Sequence, residues 1–343
     1  DLLAERNLDN SYNSTHGARD TREWLGAINA SNESLLAANS SIQGLVNSLM
    51  TVALSELEQN DNNSGFVING VSAGDMSGQS VSNAGDVNGD GLADLFIGAY
   101  LDDPNGNDSG ASFVVFGKGD GAAVELSSIE NGNGGFVING VSTFDISGKS
   151  VSSAGDVNGD GLADLIVGAW GDDPNGEGLA SVEAPSDFDT SDSMSGASFV
   201  VFGKDDGTAV ELSNIENGNG GFVINGVGTN DLSGFSVSSA GDVNGDGLAD
   251  LIVGALGDDP NGDGSGASFV VFGKSNGTVV ELSDIEDGIG GFVINGVSAD
   301  DRSGATVNSA GDVNGDGLAD LIVGAWGDDT NGDNSGASFV VFG

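Results

Sequence analysis

The chain has 343 residues, and its 53 Asp and Glu against 8 Lys and Arg give a formal net charge of −45 at pH 7. A negative field of this size excludes nucleic acid and anionic membrane surfaces as partners. The chain has no cysteine and a single histidine, His16. Disulfide bonds, thiol nucleophiles and a Ser-His-Asp triad within the repeated part described below are therefore excluded as well.

Residues 1–60 are rich in Ala, Leu, Ser and Asn and lack the glycine punctuation of the rest of the chain. Between Ser34 and Glu58, apolar residues such as Leu35, Ile42 and Leu49 form a stripe with helical spacing, which predicts an amphipathic helix. Such a helix needs a surface to cover its apolar face. Three arrangements stay open: packing on the remainder of the chain, assembly with other copies through residues 1–60, or a flexible stalk.

From residue 61 to the end, four apolar runs recur in each of four repeats, which begin near residues 65, 135, 221 and 291. In order they are GFVING, a short SV-containing run, the segment after the string DVNGDGLAD, and GASFVVFG. Each run is rich in Val, Ile and Phe and is bounded by Gly, Asn and Asp, which is typical of β-strands. Four strands in each repeat of about 70 residues predict an all-β fold, a β-propeller with one blade per repeat.

The string DVNGDGLAD occurs unchanged four times, and each copy places side-chain oxygens at its first, third, fifth and ninth positions. Glycine at the sixth position permits a sharp turn. Hard oxygen donors on a tight loop suit Ca²⁺, which takes ~6–8 oxygen ligands. An EF-hand would need a carboxylate at position twelve, where this chain has Ile97 and three valines. The loop therefore ends on its ninth-position Asp, where the next strand begins.

The DxNxDGxxD loop, the LIVGA strand after it and the closing FVVFG strand together resemble the FG-GAP repeat, which builds the head propeller of integrin α-subunits and occurs in many bacterial surface proteins. The resemblance covers about 280 of the 343 residues. It implies about four Ca²⁺ ions, one per repeat, held by four side chains and one backbone carbonyl in each loop. The implied ligands are Asp86, Asn88, Asp90, the carbonyl of Leu92 and Asp94; Asp156, Asn158, Asp160, Leu162 and Asp164; Asp242, Asn244, Asp246, Leu248 and Asp250; and Asp312, Asn314, Asp316, Leu318 and Asp320. In the family this loop joins the first and second strands of a blade.

The number of repeats departs from the integrin pattern of seven blades, because this chain has four. If GFVING is the outer strand of a blade, the first copy, at residues 65–70, has no blade of its own. It could complete the last blade and close a four-bladed ring, the usual way in which a propeller hides its edges. Two alternatives stay open, namely pairing with a neighbouring molecule and membership of a longer array.

Two further features lie between the second and third strands, on the face expected to be opposite the calcium loops. An Asp-Asp pair occurs there in every repeat, beginning at Asp102, Asp172, Asp258 and Asp328. We interpret these pairs as turn residues, with additional cation binding as the alternative. The second repeat also carries an insert, Glu177–Met194. The insert is either a binding surface or a tolerated surface insertion.

These observations predict a secreted, calcium-binding structural or adhesive protein of a cell surface, with homo-oligomer or filament assembly through residues 1–60. The acidic composition suits a salty exterior, and a bacterial, marine origin fits it. The alternative is a propeller module that binds a glycan or a surface protein through the face carrying residues 177–194. An enzyme is not expected. A hydrolase built on a carboxylate pair is the least favoured alternative.

Overall fold

The structure is a computed structural model of the chain and describes residues 54–57, 65–174 and 194–343. The chain divides into two compact units, Asp1–Val67 and Ile68–Gly343. The helix predicted within residues 1–60 lies outside the described residues, apart from one helical turn, α1 (Leu54–Leu57).

The second unit is a series of antiparallel sheets, one for each repeat. Blade 1 contains β2 (Val81–Gly85), β3 (Asp94–Ala99), β4 (Ala111–Val115) and β6 (Gly135–Asn139). Blade 2 contains β7 (Ser150–Gly155), β8 (Asp164–Ala169), β9 (Ala197–Val201) and β11 (Gly221–Asn225). Blade 3 contains β12 (Ser233–Gly241), β13 (Asp250–Ala255), β14 (Ala267–Val271) and β16 (Gly291–Asn295). Blade 4 contains β17 (Ser303–Gly311), β18 (Asp320–Ala325) and β19 (Ala337–Val341). These strands are the four predicted apolar runs, so the all-β, bladed fold is confirmed.

Most of the hydrophobic core lies between consecutive blades, and one further buried cluster lies within blade 1. Phe96 and Val114 of blade 1, for example, belong to the same buried cluster as Leu165 and Phe199 of blade 2. Equivalent clusters join blade 2 to blade 3 and blade 3 to blade 4. Because the second and third strands of a blade have a neighbouring blade on each face, they are apolar at successive positions. The pattern of β8, buried throughout, reflects this.

Two small elements in each of the first three repeats were not predicted. After the third strand, a two-residue strand pairs in parallel with the outer strand of the preceding blade: β10 (Val210–Glu211) with β6, and β15 (Val280–Glu281) with β11. A helix of one turn follows, namely α2 (Leu126–Ile129), α3 (Leu212–Glu216) and α4 (Leu282–Glu286). Its Leu and Ile are buried, in the inter-blade clusters for α3 and α4 and in a cluster of blade 1 for α2. A single turn is too short to give a helical period in the sequence.

The two ends of the series differ from its interior. The last three GFVING copies are the outer strands of blades 1 to 3, as expected. The first copy contributes β1 (Ile68–Asn69), which pairs in parallel with β5 (Val124–Glu125). Blade 4 has three strands, and β19 pairs with β18 alone among the described strands. The closing latch considered for the first GFVING is therefore not formed, and the described blades form an open series.

Candidate metal centres at the inter-blade joints

Each DVNGDGLAD loop joins the first and second strands of its blade, and its ninth residue opens the second strand, as predicted. The loop of blade 2 illustrates the local geometry. Asp156 folds back over the turn, where one carboxylate oxygen accepts the Gly159 amide at 2.7 Å and the other accepts the Gly161 amide at 3.0 Å. Asp160 accepts the Leu162 amide at 2.9 Å. The other three loops repeat these bonds. One nonapeptide thus yields one loop conformation four times.

The ninth-position Asp is the buried anchor of each loop. The Asp164 carboxylate accepts the amide of Val157 at 2.9 Å and that of Gly203, which follows the third strand, at 2.8 Å. Burial raises the pKa of Asp164 to about 7, and repulsion from Asp160 and Asp156 adds to the increase although the two amides oppose it. The pKa of Asp94 and that of Asp250 are also raised, mainly by burial. The carboxylates at the first, fifth and ninth positions of the loop therefore lie close enough to repel one another.

In the part of the chain that the structure describes, no three acidic or histidine side chains are arranged as a ready-made metal cluster. The predicted ligand side chains lie together in each loop, but their oxygens face the loop's own backbone amides. The donor set itself fits a hard divalent cation, because it consists of three carboxylates and one Asn amide. The ion pairs of the described residues, Lys118–Asp120, Lys204–Asp206 and Arg302–Asp300, lie outside the loops. The residues present therefore suit Ca²⁺, and their repulsion would be relieved by a cation.

Consecutive loops also bind one another, which sequence reasoning missed. The Ala163 amide of the second loop donates to the Asp86 carbonyl of the first at 3.0 Å. The same bond joins the second loop to the third, Ala249 to Asp156, and the third to the fourth, Ala319 to Asp242. At the first joint, Leu162 packs so close to Gly89 that a Cβ there would lie 3.1 Å from it. The seventh and eighth residues of the nonapeptide are thus packing residues of the inter-blade joint.

The Asp-Asp pairs lie at the opposite end of the blades, and their hydrogen bonds confirm that they are turn residues. The second Asp of a pair caps its loop, as when Asp103 accepts the Asp108 amide at 2.7 Å. In the first three blades, the first Asp of the pair also lies close enough to another carboxylate for the two to repel each other. A polar cavity of about 470 Å³ in blade 2 is lined by Asp145 and Asp172, together with Asn105, Thr143 and others.

The environment of this acidic pair changes its protonation. Burial, and then the nearby charges of Asp172 and Glu216, raise the pKa of Asp145 to about 8. Burial and Glu216 raise the pKa of Asp172 to about 7. An approaching pair also occurs in blade 3, where burial and Asp258 raise the pKa of Asp231 to about 6. No pattern in the sequence indicates that these residues, about 27 positions apart, would meet. The insert Glu177–Met194 lies outside the described residues except for Met194, which is buried.

Repeated antiparallel blades, with an acidic loop at each joint, define a β-propeller-type repeat protein. The FG-GAP repeat model matches the chain four times, at residues 77–115, 147–182, 233–271 and 304–341. The chain therefore contains four FG-GAP repeats.

Several curated integrin α-subunits are similar to this chain. Integrin alpha-4 of Xenopus laevis is 26% identical over 193 residues, which is 56% of this chain and 15% of that protein. Integrin alpha-PS2 of Drosophila melanogaster is 35% identical over 122 residues, 34% of this chain and 8% of that protein. Integrin alpha pat-2 of Caenorhabditis elegans is 34% identical over 99 residues, 27% of this chain and 7% of that protein. The chain thus spans a small part of each relative. Among the described helices, none has the length and apolar character needed to cross a membrane.

Proposed function

We propose that this chain is a calcium-stabilised, extracellular structural or adhesive module, in which one Ca²⁺ per repeat fixes the joint between neighbouring blades. The observation that carries the proposal is the fourfold acidic loop at the joint, whose backbone bonds to the loop of the next blade. The family supports it, because the relatives are integrin α-subunits. The charge of −45 also favours a cation-rich exterior, since bound and free cations relieve self-repulsion.

In each loop the ion would be held by the side chains at positions one, three, five and nine, and by the carbonyl at position seven. When bound, Ca²⁺ supplies positive charge and an oxygen-coordinating centre that compensates three carboxylates. The chain itself sets the loop conformation, because the carboxylates of the first and fifth residues accept hydrogen bonds from backbone amides of the loop. The buried ninth Asp ties the loop to the end of the third strand. Ion binding would therefore stabilise a joint that is already formed, rather than create a fold.

Thermal unfolding in calcium and in excess chelator tests this proposal. Extracellular calcium modules have dissociation constants of ~10⁻⁴–10⁻³ M. At ten times that concentration, each filled site would add about 1.4 kcal/mol to the free energy of unfolding. We therefore expect chelation to lower the Tm strongly, and calorimetric titration to count about four ions.

The variant Asp160→Asn keeps the size of the side chain but removes one ligand charge. We expect it to reduce the ion count by one. Asp205→Asn is the matched control, because Asp205 is an exposed acidic residue outside the loops. It should leave the titration unchanged. An identical Tm in calcium and in chelator, with no heat of binding, would refute the calcium proposal without altering the fold.

A second candidate function is ligand binding at the end of the blades opposite the calcium loops. The polar cavity beside Asp145 and Asp172 favours it, because protonated carboxyl groups there can donate hydrogen bonds to a hydroxyl-rich ligand such as a glycan. A glycan array probed with the native chain and with Asp145→Ala tests this function. Binding that is lost in the variant would support it, and an array without any signal would count against it.

Self-association through residues 1–60 stays a prediction. Light scattering of the whole chain in millimolar calcium, compared with a chain lacking these residues, measures it. Large particles that disappear on the deletion would support assembly through this segment. If the particle size is the same without residues 1–60, we would assign assembly to the bladed unit.

A further inference from the structure

The third and fourth residues of every DVNGDGLAD loop are Asn and Gly, a pair that can lose ammonia by reacting with itself. In this reaction the main-chain nitrogen of the glycine attacks the side-chain carbonyl carbon of the asparagine, and glycine has no Cβ to hinder the approach. Asn-Gly pairs also occur outside the loops, so the pair alone does not single out a site. The hydrogen bonds around the reacting atoms distinguish the loops from the other pairs.

In the second loop, the attacking nitrogen is hydrogen-bonded to a carboxylate. The Gly159 amide donates to one Asp156 oxygen at 2.7 Å. A carboxylate at this distance is placed to accept the amide proton as the nitrogen attacks, which is the role of a general base. The same bond occurs at 2.8, 2.7 and 2.6 Å in the other loops, from Gly89 to Asp86, from Gly245 to Asp242 and from Gly315 to Asp312. The arrangement is therefore a property of the loop and not of one repeat.

The asparagine side chain of the loop is also held at both of its polar atoms. Asn158 Oδ1 accepts the Asp160 amide at 2.8 Å, so a donor faces the oxygen on which negative charge develops when the nitrogen adds. Asn158 Nδ2, the nitrogen that must leave, donates to the Asp160 carboxylate at 3.0 Å. The other three loops repeat both contacts. One loop thus places the base, the nucleophile, the carbonyl and the leaving group of a single reaction together.

The Asn131–Gly132 pair, which lies outside the loops, provides a comparison within the same chain. Its Gly132 amide donates to the main-chain carbonyl of Ile129 at 2.8 Å, and a carbonyl oxygen is far too weak a base to remove an amide proton. Asn131 is exposed, whereas Asn158 is partly buried, so access to solvent favours reaction at Asn131. A faster reaction at Asn158 would therefore come from the contacts of its loop.

We infer that each DVNGDGLAD loop promotes deamidation of its own third residue, with the Asp at its first position as the general base. In the second loop, a bond forms between the Gly159 nitrogen and Asn158 Cγ, and the amide proton passes to Asp156. The Cγ–Nδ2 bond then breaks, and Nδ2 takes up that proton and leaves as ammonia. Water opens the resulting succinimide at the side-chain carbonyl, which gives Asp, or at the main-chain carbonyl, which gives isoaspartate. The net reaction exchanges ammonia for water and needs no other reactant.

Either product replaces a neutral amide with a carboxylate. Asp at the third position would add a fourth carboxylate to the donor set of the loop, and ligand charge is one of the factors that set calcium affinity. Isoaspartate would lengthen the main chain by a methylene group between the third and fourth positions and so displace the ligands on either side. The deamidation itself does not depend on calcium, whereas its effect on calcium affinity rests on the proposed function.

Peptide mapping by mass spectrometry tests the inference in the whole native chain, kept in excess chelator at neutral pH. The method follows each asparagine separately, because the exchange of ammonia for water changes the mass of its peptide. General-base catalysis typically contributes a factor of ~10²–10⁴, so we expect Asn158 to deamidate at least about tenfold faster than Asn131. In denaturant the contacts are lost, and the two residues should react at similar rates because Gly follows both of them. The rates in denaturant therefore correct for local sequence.

The variant Asp156→Asn removes the base and keeps the size of the side chain. It should slow deamidation of Asn158 about tenfold or more, while Asn88 and Asn314 keep their native rates and thereby show that the other loops are intact. Asp205→Asn is the control, because Asp205 is an exposed acidic residue outside the loops, and it should change none of the rates. Two results would overturn the inference: a folded chain in which Asn158 reacts no faster than Asn131, or a native rate at Asn158 in Asp156→Asn.

The same assay with added calcium separates this inference from the proposed calcium function. A cation held in the loop would neutralise the Asp156 carboxylate as a base, so calcium should slow deamidation in all four loops. Fast deamidation of Asn158 in chelator that is unchanged in calcium would support the reactivity of the loop and count against the calcium site. Slow deamidation of Asn158 in chelator would overturn the inference and leave the calcium site to be judged by its own titration.

Discussion

The buried acidic pair of blade 2 makes the stability of this protein depend on pH. Asp145 has a pKa of about 8 in the folded chain against 3.8 in the unfolded chain. Between these values the folded state holds a proton that the unfolded state releases. Linkage then requires the free energy of unfolding to fall as the pH rises from about 4 to about 8. Asp145 therefore favours the folded state most below its unfolded pKa, and this contribution is lost as the pH rises through its folded pKa.

The variant Asp145→Asn isolates this effect. Its amide oxygen can still accept the Ser142 amide, which lies 2.6 Å from the native carboxylate, but the side chain no longer titrates. One pKa unit corresponds to about 1.4 kcal/mol. Because pH 7 lies about three units above the unfolded pKa and below the folded one, the free energy of unfolding at pH 7 is lower by about 4 kcal/mol than below pH 4 on account of this carboxyl. We expect the variant to be more stable than the native chain at pH 8 and to have a flatter stability profile.

Urea unfolding between pH 5 and pH 8.5, in excess chelator so that bound cations do not contribute, measures this profile. Asp328→Asn is the control, at the position in blade 4 that is equivalent to Asp172. Hydrogen bonds from the Thr330 side chain and amide hold the pKa of Asp328 below its usual range. The contribution of Asp328 to the free energy of unfolding is therefore constant over this pH window, and Asp328→Asn should have the same dependence on pH as the native chain. A native slope in Asp145→Asn would refute the reasoning, because it would mean that this carboxyl does not take up a proton on folding.

Three further predictions concern the joints and the charge. Gly168→Ala places a methyl group 2.0 Å from the Gly234 carbonyl and should lower the free energy of unfolding in denaturant by about 3 kcal/mol or more. The control Gly119→Ala should change it by less than about 0.5 kcal/mol, and similar losses in the two variants would contradict the close approach. Asp250→Ala leaves the amides of Val243 and Gly273 without their acceptor and should lower the free energy of unfolding by about 2–5 kcal/mol. A denaturation midpoint equal to that of the native chain would show that water replaces the carboxylate. Raising NaCl from about 50 to about 500 mM in chelator should raise the Tm by screening the excess negative charge; a Tm that does not change would show that self-repulsion does not limit stability.

The strands and loops could be predicted because each depends on a local pattern. The strand pairing of Leu251 with Val271, for example, joins runs that are apolar at every position, and the loop conformation follows from Asp and Gly at fixed spacing. The one-turn helices and two-residue strands carry too few residues to form a pattern. Their positions depend on contacts with a different blade, which the sequence alone does not specify.

The joints were missed for a different reason. Leu162 and Ala163 lie inside the nonapeptide, and the unchanged repetition of the nonapeptide was attributed to calcium binding. In the structure the same residues pack on the preceding loop. The meeting of Asp145 with Asp172 depends on the packing of two turns that are 27 positions apart in the chain. Whether the ends of the series meet is a property of the whole assembly of blades, and near-identical repeats cannot reveal it.

The chain of bonds between loops makes a final prediction about calcium. Among the described residues, the second and third loops are each bonded to a neighbour on both sides, whereas the fourth loop is bonded on one side, through Ala319 and Asp242. An ion that orders an interior loop should therefore also favour binding in the adjacent loops, as in repeat proteins with nearest-neighbour coupling. This expectation rests on the proposed calcium function.

Asp160→Asn in the second loop and Asp316→Asn in the fourth loop remove the same ligand at two positions in this chain of bonds. In calorimetric titrations, both variants should lose one ion. Asp160→Asn should also weaken the remaining sites by at least about fivefold, the lower end of typical coupling between sites, whereas Asp316→Asn should affect them less because its loop has one neighbour. Equal residual affinities in the two variants would mean that the loops bind independently. The backbone bonds between loops would then hold the blades together without transmitting the state of one site to the next.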